Sequence, residues 1–177
     1  MNKISAEKTL LQYVPNAYII RPSYLYGPMN NVYREAFVFE CANLNRPFYI
    51  PKDGSMKLQF FYIEDLSHFL YHLMIDSSFE HIFNVGNPQS VTIKDWVELC
   101  YETCHQKPNF IHVDSTIEQR QYFPFYNYEY ALDVQKQKLI LTTTKSLDKG
   151  LQESYDWYQN HSQLVMRKPL IEFIDKH

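Results

Sequence analysis

The chain has 177 residues, of which 45% are hydrophobic. That is about one domain's worth of chain with enough apolar material for a core, which excludes a disordered tail. The formal net charge is −3, from 17 basic and 20 acidic residues, so the totals carry no basic footprint for nucleic acid.

The opening Asn2-Lys3-Ile4-Ser5-Ala6-Glu7-Lys8 is charged and lacks an apolar run, which argues against a signal peptide. Residues 2–13 read as a helix stopped by Pro15. Ala17-Tyr18-Ile19-Ile20 reads as a short buried strand closed by Pro22. Residues 31–45 return to helical spacing through Val32, Ala36, Phe37, Glu40, Cys41 and Leu44. Phe48-Tyr49-Ile50 is a strand between two prolines, Lys52-Asp53-Gly54-Ser55 is a turn, and Leu58 to Ile63 is extended. Asp65 is placed as the N-cap of a helix whose apolar face carries Leu66, Phe69, Leu70, Leu73 and Met74. His81 to Gly86 is a strand running into a turn. Thr92-Ile93-Lys94-Asp95 resembles a capping box and opens a helix with Trp96, Val97, Cys100 and Cys104 on one side. Phe110-Ile111-His112-Val113 is a further strand and residues 146–160 a late helix. An amphipathic stretch from Gln163 to Ile174 is interrupted by Pro169. This alternation of helix and strand argues for an α/β fold. No run approaches the roughly 18 consecutive apolar residues of a membrane span.

Several chemistries are absent from the motif record. There is no Gly-x-Gly-x-x-Gly turn, no Gly-x-x-x-x-Gly-Lys loop and no Gly-x-Ser-x-Gly elbow, and glycine totals only 4. Average usage would give about 12. Asp65, His68 and His72 could share a helix face, but without a His-Glu-x-x-His string or a third ligand helix they define no metal site. Cys41, Cys100 and Cys104 form no Cys-x-x-Cys pair and read as buried thiols of a reduced, cytoplasmic compartment. Lys136, Lys138, Lys145 and Lys149 lie beyond Tyr126, Tyr128 and Tyr130. These are the ingredients of single-strand RNA binding, diluted by Glu129, Asp133 and Asp148 into a solvated face.

One order of landmarks is specific. Arg21-Pro22-Ser23-Tyr24-Leu25-Tyr26-Gly27-Pro28 is followed by Asp53-Gly54, by Gln59-Phe60-Phe61-Tyr62-Ile63-Glu64-Asp65-Leu66, and by Phe83-Asn84-Val85-Gly86. This order resembles the C-terminal half of the extended short-chain dehydrogenases/reductases, the NAD-dependent epimerase/dehydratase family. The stretches Phe123 to Asp133 and Gly150 to Tyr155 resemble a branch that includes chloroplast stem-loop RNA-binding relatives. The resemblance implies the C-terminal part of an extended Rossmann-type fold without the glycine-rich N-terminal half, which also accounts for the glycine deficit. It implies one half-domain over 1–177. Residues 1–29 would be the end of the Rossmann part, with a remnant of the catalytic helix and a strand, and residues 30–177 the substrate-binding region.

The family's catalytic pair is Tyr-x-x-x-Lys. Lys3 matches the lysine, and the tyrosine would fall two positions before Met1. The resemblance assigns Lys3 to catalysis, and Lys3, Pro22, Ser23 and Tyr24 to NAD or NADP. Tyr24, Arg46, Gln59 and Tyr62 become candidates for lining the substrate pocket. Many relatives carry Asn at the place of Tyr24 and Arg at the place of Leu58, both for a substrate diphosphate, so this pocket is expected to be more aromatic and less anion-seeking. The leading expectation is the substrate-binding part of a sugar-nucleotide epimerase/dehydratase-like protein. By itself the chain is expected to be inactive, to bind no cofactor and to self-associate. The alternative is an RNA- or protein-binding module that kept the fold without the chemistry.

Overall fold

The computed structural model describes residues 2–76, 78–114 and 116–176. The chain opens with α1 (Lys3–Tyr13), whose cap Asn2 accepts the Ser5 N–H at 2.9 Å. No residue of α1 is buried. Its Glu7 pairs with Arg21 of β1 (Ile19–Pro22), which ties the helix to the first strand. Strand β2 (Tyr24–Tyr26), helix α2 (Glu35–Asn43) and strand β3 (Phe48–Pro51) follow. Asp53 then accepts the Ser55 N–H, and Gly54 takes φ +77°, a left-handed value that closes the turn without a Cβ to clash.

Two short strands, β4 (Lys57–Leu58) and β5 (Phe60–Tyr62), run directly into α3 (Ile63–Asp76). Next come β6 (Ile82–Val85), β7 (Val91–Thr92), α4 (Ile93–Thr103) and β8 (Phe110–Val113). A long irregular stretch carries 3-10 turns at Gln119–Gln121 and Gln135–Leu139 before α5 (Leu147–His161) and α6 (Leu170–Lys176).

The strands pair as β1 with β6, β2 with β5 and β3 with β8, all parallel, while β4 and β7 are antiparallel. Parallel partners need a crossover, and helices α2, α3 and α4 lie in the connections that supply it. Two apolar clusters result. In the larger, Phe60 stacks on Trp96 at 5.4 Å and Phe125 meets both rings edge-on. In the smaller, Phe69 and Leu73 of α3 pack with Phe61, Phe83 and Val85, and the Phe69 and Phe83 rings are 5.3 Å apart.

Two local expectations change. Asp65 is not the cap of α3, because the helix starts at Ile63 straight out of β5; its carboxylate instead accepts the Lys145 N–H at 2.8 Å. The buried face of α3 is also narrower than its apolar stripe. A helix turns about 100° per residue, so with Phe69 and Leu73 inward, Leu70 and Met74 come round to solvent, Met74 at 76% exposure. The Thr92 cap holds as expected, with its hydroxyl accepting the Asp95 N–H at 3.0 Å.

Candidate functional site

Strand β1 ends in Pro22, Ser23 turns the chain, and β2 sends Tyr24 toward the mouth of a cavity of about 660 Å³. Lys3, in the first turn of α1, lines the same cavity, as do Pro22, Ser23, Arg34, Tyr128 and Tyr130. The structure therefore brings Lys3 of α1 together with the consecutive Pro22, Ser23 and Tyr24 at the end of β1 and the start of β2. Ser23 can sit here because its neighbour is Gly86: a Cβ at that position would stand 2.7 Å from the Ser23 hydroxyl. That hydroxyl is buried and has no hydrogen-bond partner among the described residues.

Tyr24 is held by rings. Phe125 stands edge-on at 4.8 Å, Tyr130 lies at 5.1 Å, and the Arg34 guanidinium covers the Tyr24 face at 4.9 Å. Burial, and secondarily the Tyr128 hydroxyl, push the Tyr24 phenol up to about 12. At neutral pH it is a neutral hydrogen-bonding ring and not a base.

The other three candidates lie outside the residues that line this cavity. Gln59 is a buried strut: its Nε2 donates to the carbonyls of Asn87 at 2.8 Å and Leu132 at 3.2 Å, and its Oε1 accepts the Leu132 N–H at 2.9 Å. The Tyr62 hydroxyl donates to Glu153, and burial pushes that phenol up to about 12. Arg46, between α2 and β3, pairs with Asp175, and its carbonyl accepts the Tyr101 hydroxyl. Leu58 is wholly buried, so no anion meets that position from solvent.

The aromatic and basic segment resolves into two kinds of residue. Lys145 pairs with Glu153 at 2.7 Å and with Glu64 at 3.1 Å, and Lys136 pairs with Glu80 at 2.6 Å, so both are engaged within the chain. Tyr126 and Tyr128 are exposed and stacked at 6.0 Å, with the Arg120 guanidinium over Tyr126 at 4.8 Å. Tyr128, seen in the sequence only as part of an RNA-binding surface, lines the cavity instead, and Arg34, which also lines it, is a residue that sequence reasoning passed over, as is Arg120 over Tyr126. Arg34 has only Glu35 beside it as a signal, and Arg120 sits in the long irregular stretch.

His72 lies 3.6 Å from Asp76, and among the described residues no three His, Cys, Asp or Glu side chains converge as metal ligands do. Cys41, Cys100 and Cys104 are buried, and burial raises all three thiols, Cys104 to about 12. Such thiols are poor nucleophiles. No helix among the described residues is long and apolar enough to cross a membrane.

The fold has counterparts among solved structures. The fold is that of the C-terminal half of the Rossmann-type NAD-dependent epimerases and dehydratases. It matches a dTDP-glucose 4,6-dehydratase from Bacillus anthracis, solved with NAD, at a TM-score of 0.73 and 19% identity, over 95% of this chain and 53% of that one. A UDP-glucuronic acid 4-epimerase from Bacillus cereus, solved with UDP-glucuronic acid and NAD, matches at 0.69 and 20%, over 89% and 51%. In sequence, the chain is similar to the chloroplast stem-loop binding protein of 41 kDa b from Arabidopsis thaliana, 27% identical over 161 residues, covering 87% of this chain and 43% of the relative. No family model matches. The chain thus spans about half the length of the proteins it resembles.

Proposed function

We propose that the chain is the substrate-binding part of an NAD(P)-dependent epimerase/dehydratase-like protein acting on a sugar nucleotide. In this reading residues 1–29 end the nucleotide-binding part and residues 30–177 hold substrate. The observation that carries it is the convergence of Lys3 with the Pro22–Tyr24 strand end on one large cavity. A ligand pocket of this size at the end of a parallel strand is where open α/β sheets bind small molecules.

The unpartnered Ser23 hydroxyl suits an added polar group at the strand end, and a nicotinamide dinucleotide, when bound, supplies the hydride acceptor. Lys3 would place its ammonium at a ribose hydroxyl and lower the pKa of an adjacent tyrosine. Tyr24 does not replace that tyrosine, since its phenol is pushed up and not down. Alone, the chain is therefore proposed to bind sugar nucleotide without turning it over. Exposed Tyr13, Met74, Ile75 and Phe79 favour self-association, and three buried free thiols suit a reducing, cytoplasmic setting.

The test is titration of the chain with UDP-glucose and dTDP-glucose, followed by the same titration of Tyr24→Ala. Saturable binding that the substitution weakens is expected. A folded chain that ignores both sugar nucleotides sinks the reading.

A second reading, RNA binding, has one specific observation in its favour: the exposed Tyr126–Tyr128 stack beneath Arg120. Its signature would be affinity for a single-stranded oligonucleotide that falls steeply with salt.

A further inference from the structure

We infer that Glu35 is a positioning residue for the large cavity: its buried carboxyl, acting through the Asn30 amide, holds residues 27–30 in place as the cavity's wall. Pro28, Met29 and Asn30 line the cavity on this side, and they belong to no helix or strand. Chain of this kind moves unless it is tied down. Here the tie is the Asn30 side chain. Its Nδ2 donates to Oε1 of Glu35 at 2.7 Å, and its Oδ1 accepts the Val32 N–H at 3.1 Å. The Asn30 N–H also donates to the Gly27 carbonyl, at 3.3 Å.

The wall carries backbone strain. Met29 takes φ +66°, next but one to Gly27 at +135°. A left-handed residue other than glycine is uncommon, and it persists where its surroundings over-determine it. The Met29 side chain is not what fixes it, since it is 80% exposed. The constraint comes from the two ends. Gly27 lies so close to Ile63 that a Cβ would stand 2.6 Å from its Cγ2, and Asn30 is tied to Glu35. Beyond Asn30 the chain is secured separately, because the Met166 N–H donates to the Asn31 carbonyl at 2.9 Å. Residues 27–30 are therefore the part that depends on the Asn30–Glu35 clasp.

Packing alone does not account for Glu35. It is 4% exposed, at the start of a helix that also buries Ala36, Phe37, Val38 and Phe39. Among the described residues no cation lies within ion-pair distance of it, and the neighbouring Arg34 guanidinium is turned onto Tyr24 and Phe125. Burial raises its carboxyl, and the Asn30 amide is the first of the groups that pull it back. Burying a carboxyl opposes folding, and an apolar side chain of similar volume usually serves a core as well or better. What the carboxyl supplies is an acceptor reaching across to the wall. An acid in the first turn also complements the helix dipole, but that role needs the charge. The clasp needs only the acceptor, and this difference separates the two.

The inference rests on the sugar-nucleotide reading only for what enters the cavity, so its test has two readouts. Hydrogen exchange over residues 27–34 follows the wall without ligand, and calorimetric titration with UDP-glucose follows the cavity. The 177-residue chain is compared as wild type, Glu35→Gln, Glu35→Leu, Asn30→Ala and the double variant Asn30→Ala/Glu35→Leu, with melting curves for the fold. Glu35→Gln keeps the acceptor and should match wild type in both readouts. Glu35→Leu and Asn30→Ala should each speed exchange and weaken UDP-glucose about tenfold, the loss for a wall in its receiving shape about a tenth of the time. The double variant should bind no worse than the weaker single one, because both remove the same link. Glu35→Leu should melt no lower than wild type. A fold as firm with a poorer site is a combination that a merely structural carboxyl does not give. If Glu35→Leu does not fold, Asn30→Ala, which leaves the core untouched, decides by the same two readouts. Unchanged exchange in Asn30→Ala, or faster exchange with undiminished affinity, overturns the positioning role. Glu35→Gln as damaging as Glu35→Leu assigns the carboxyl to the helix dipole and overturns it too. A wild type that ignores UDP-glucose overturns the proposed function instead, and faster exchange in Asn30→Ala then still supports the clasp.

Discussion

Gln59 and Leu132 hold each other through two hydrogen bonds, the Leu132 N–H donating to Oε1 at 2.9 Å and Nε2 donating to the Leu132 carbonyl at 3.2 Å. The same Nε2 reaches the Asn87 carbonyl at 2.8 Å. One buried amide therefore joins the segment between β4 and β5 to the turn after β6 and to the chain leading into the second long 3-10 turn. Gln59→Ala strands these backbone groups away from water. It should cost about 2–3 kcal/mol, the usual penalty for buried polar groups left unpaired. Chemical denaturation measures this directly. If the variant melted like wild type while ligand affinity dropped, Gln59 would be a lining residue after all.

Gly150 lies in α5, where alanine ordinarily improves a helix by about 1 kcal/mol. Here the sign should reverse. A Cβ at Gly150 would stand 2.4 Å from the Tyr26 hydroxyl oxygen and 2.8 Å from Cε2 of that fully buried ring. Gly150→Ala is expected to destabilise by about 1–3 kcal/mol, as overpacking does. Tyr26→Phe should be nearly neutral by itself, because the hydroxyl has no partner among the described residues. Combined with Gly150→Ala, it should recover part of the loss. A melting-temperature cycle over the four proteins reads the coupling.

Glu153 supplies a pH dependence. The Lys145 ammonium, and then the Tyr62 hydroxyl, hold its carboxyl below the ordinary value of 4.5. A carboxyl with a lowered folded-state pKa contributes stability above its unfolded pKa and loses it as pH falls through the lowered value. Glu153→Gln keeps an acceptor for Tyr62 and removes the charge. Near neutral pH the variant should be the less stable, by on the order of 0.5 kcal/mol once solvent screening of this half-exposed pair is allowed for. The gap should close as pH drops below 4.5. Denaturation midpoints across acid pH check it; a gap that is constant with pH removes the pair from the account.

The fold was legible wherever the signal was local. Thr92 caps α4 with an atom three residues away, and β8 matches the predicted Phe110–Val113 residue for residue, because prolines, caps and apolar runs act within one turn or strand. Asp65 was misplaced because its partner, Lys145, lies eighty residues downstream. Lys3 and the Pro22–Tyr24 strand end were visible through their resemblance to a known order of motifs, and they do meet at one cavity. Arg34 and Arg120 carried no such pattern. Two cations from separate irregular segments come together only after the long loop folds back.

Lys3 and Tyr24 line one cavity, yet they should fail in different ways when replaced. The experiment joins this chain behind the nucleotide-binding half of a related epimerase and follows steady-state turnover of a UDP-sugar. Lys3→Met keeps the stem and deletes the charge, so a neighbouring tyrosine would lose the cation that makes it a usable acid–base group. Turnover should fall by roughly 10²–10⁴-fold with KM little changed. Tyr24 is neutral at working pH, its phenol pushed up to about 12, and it sits beneath the Arg34 guanidinium at 4.9 Å. Tyr24→Asn removes that ring and offers an amide to the ligand, so its effect should appear in KM for nucleotide-diphosphate sugars and not in the pH profile of kcat. An amide that replaces a merely bulky ring should lower KM. A ring needed to hold Arg34 in place should instead raise KM when lost, and Tyr24→Phe, which keeps the ring, would then behave as wild type. Unchanged turnover in Lys3→Met would show that α1 is not the catalytic helix, and the enzyme reading would fall with it.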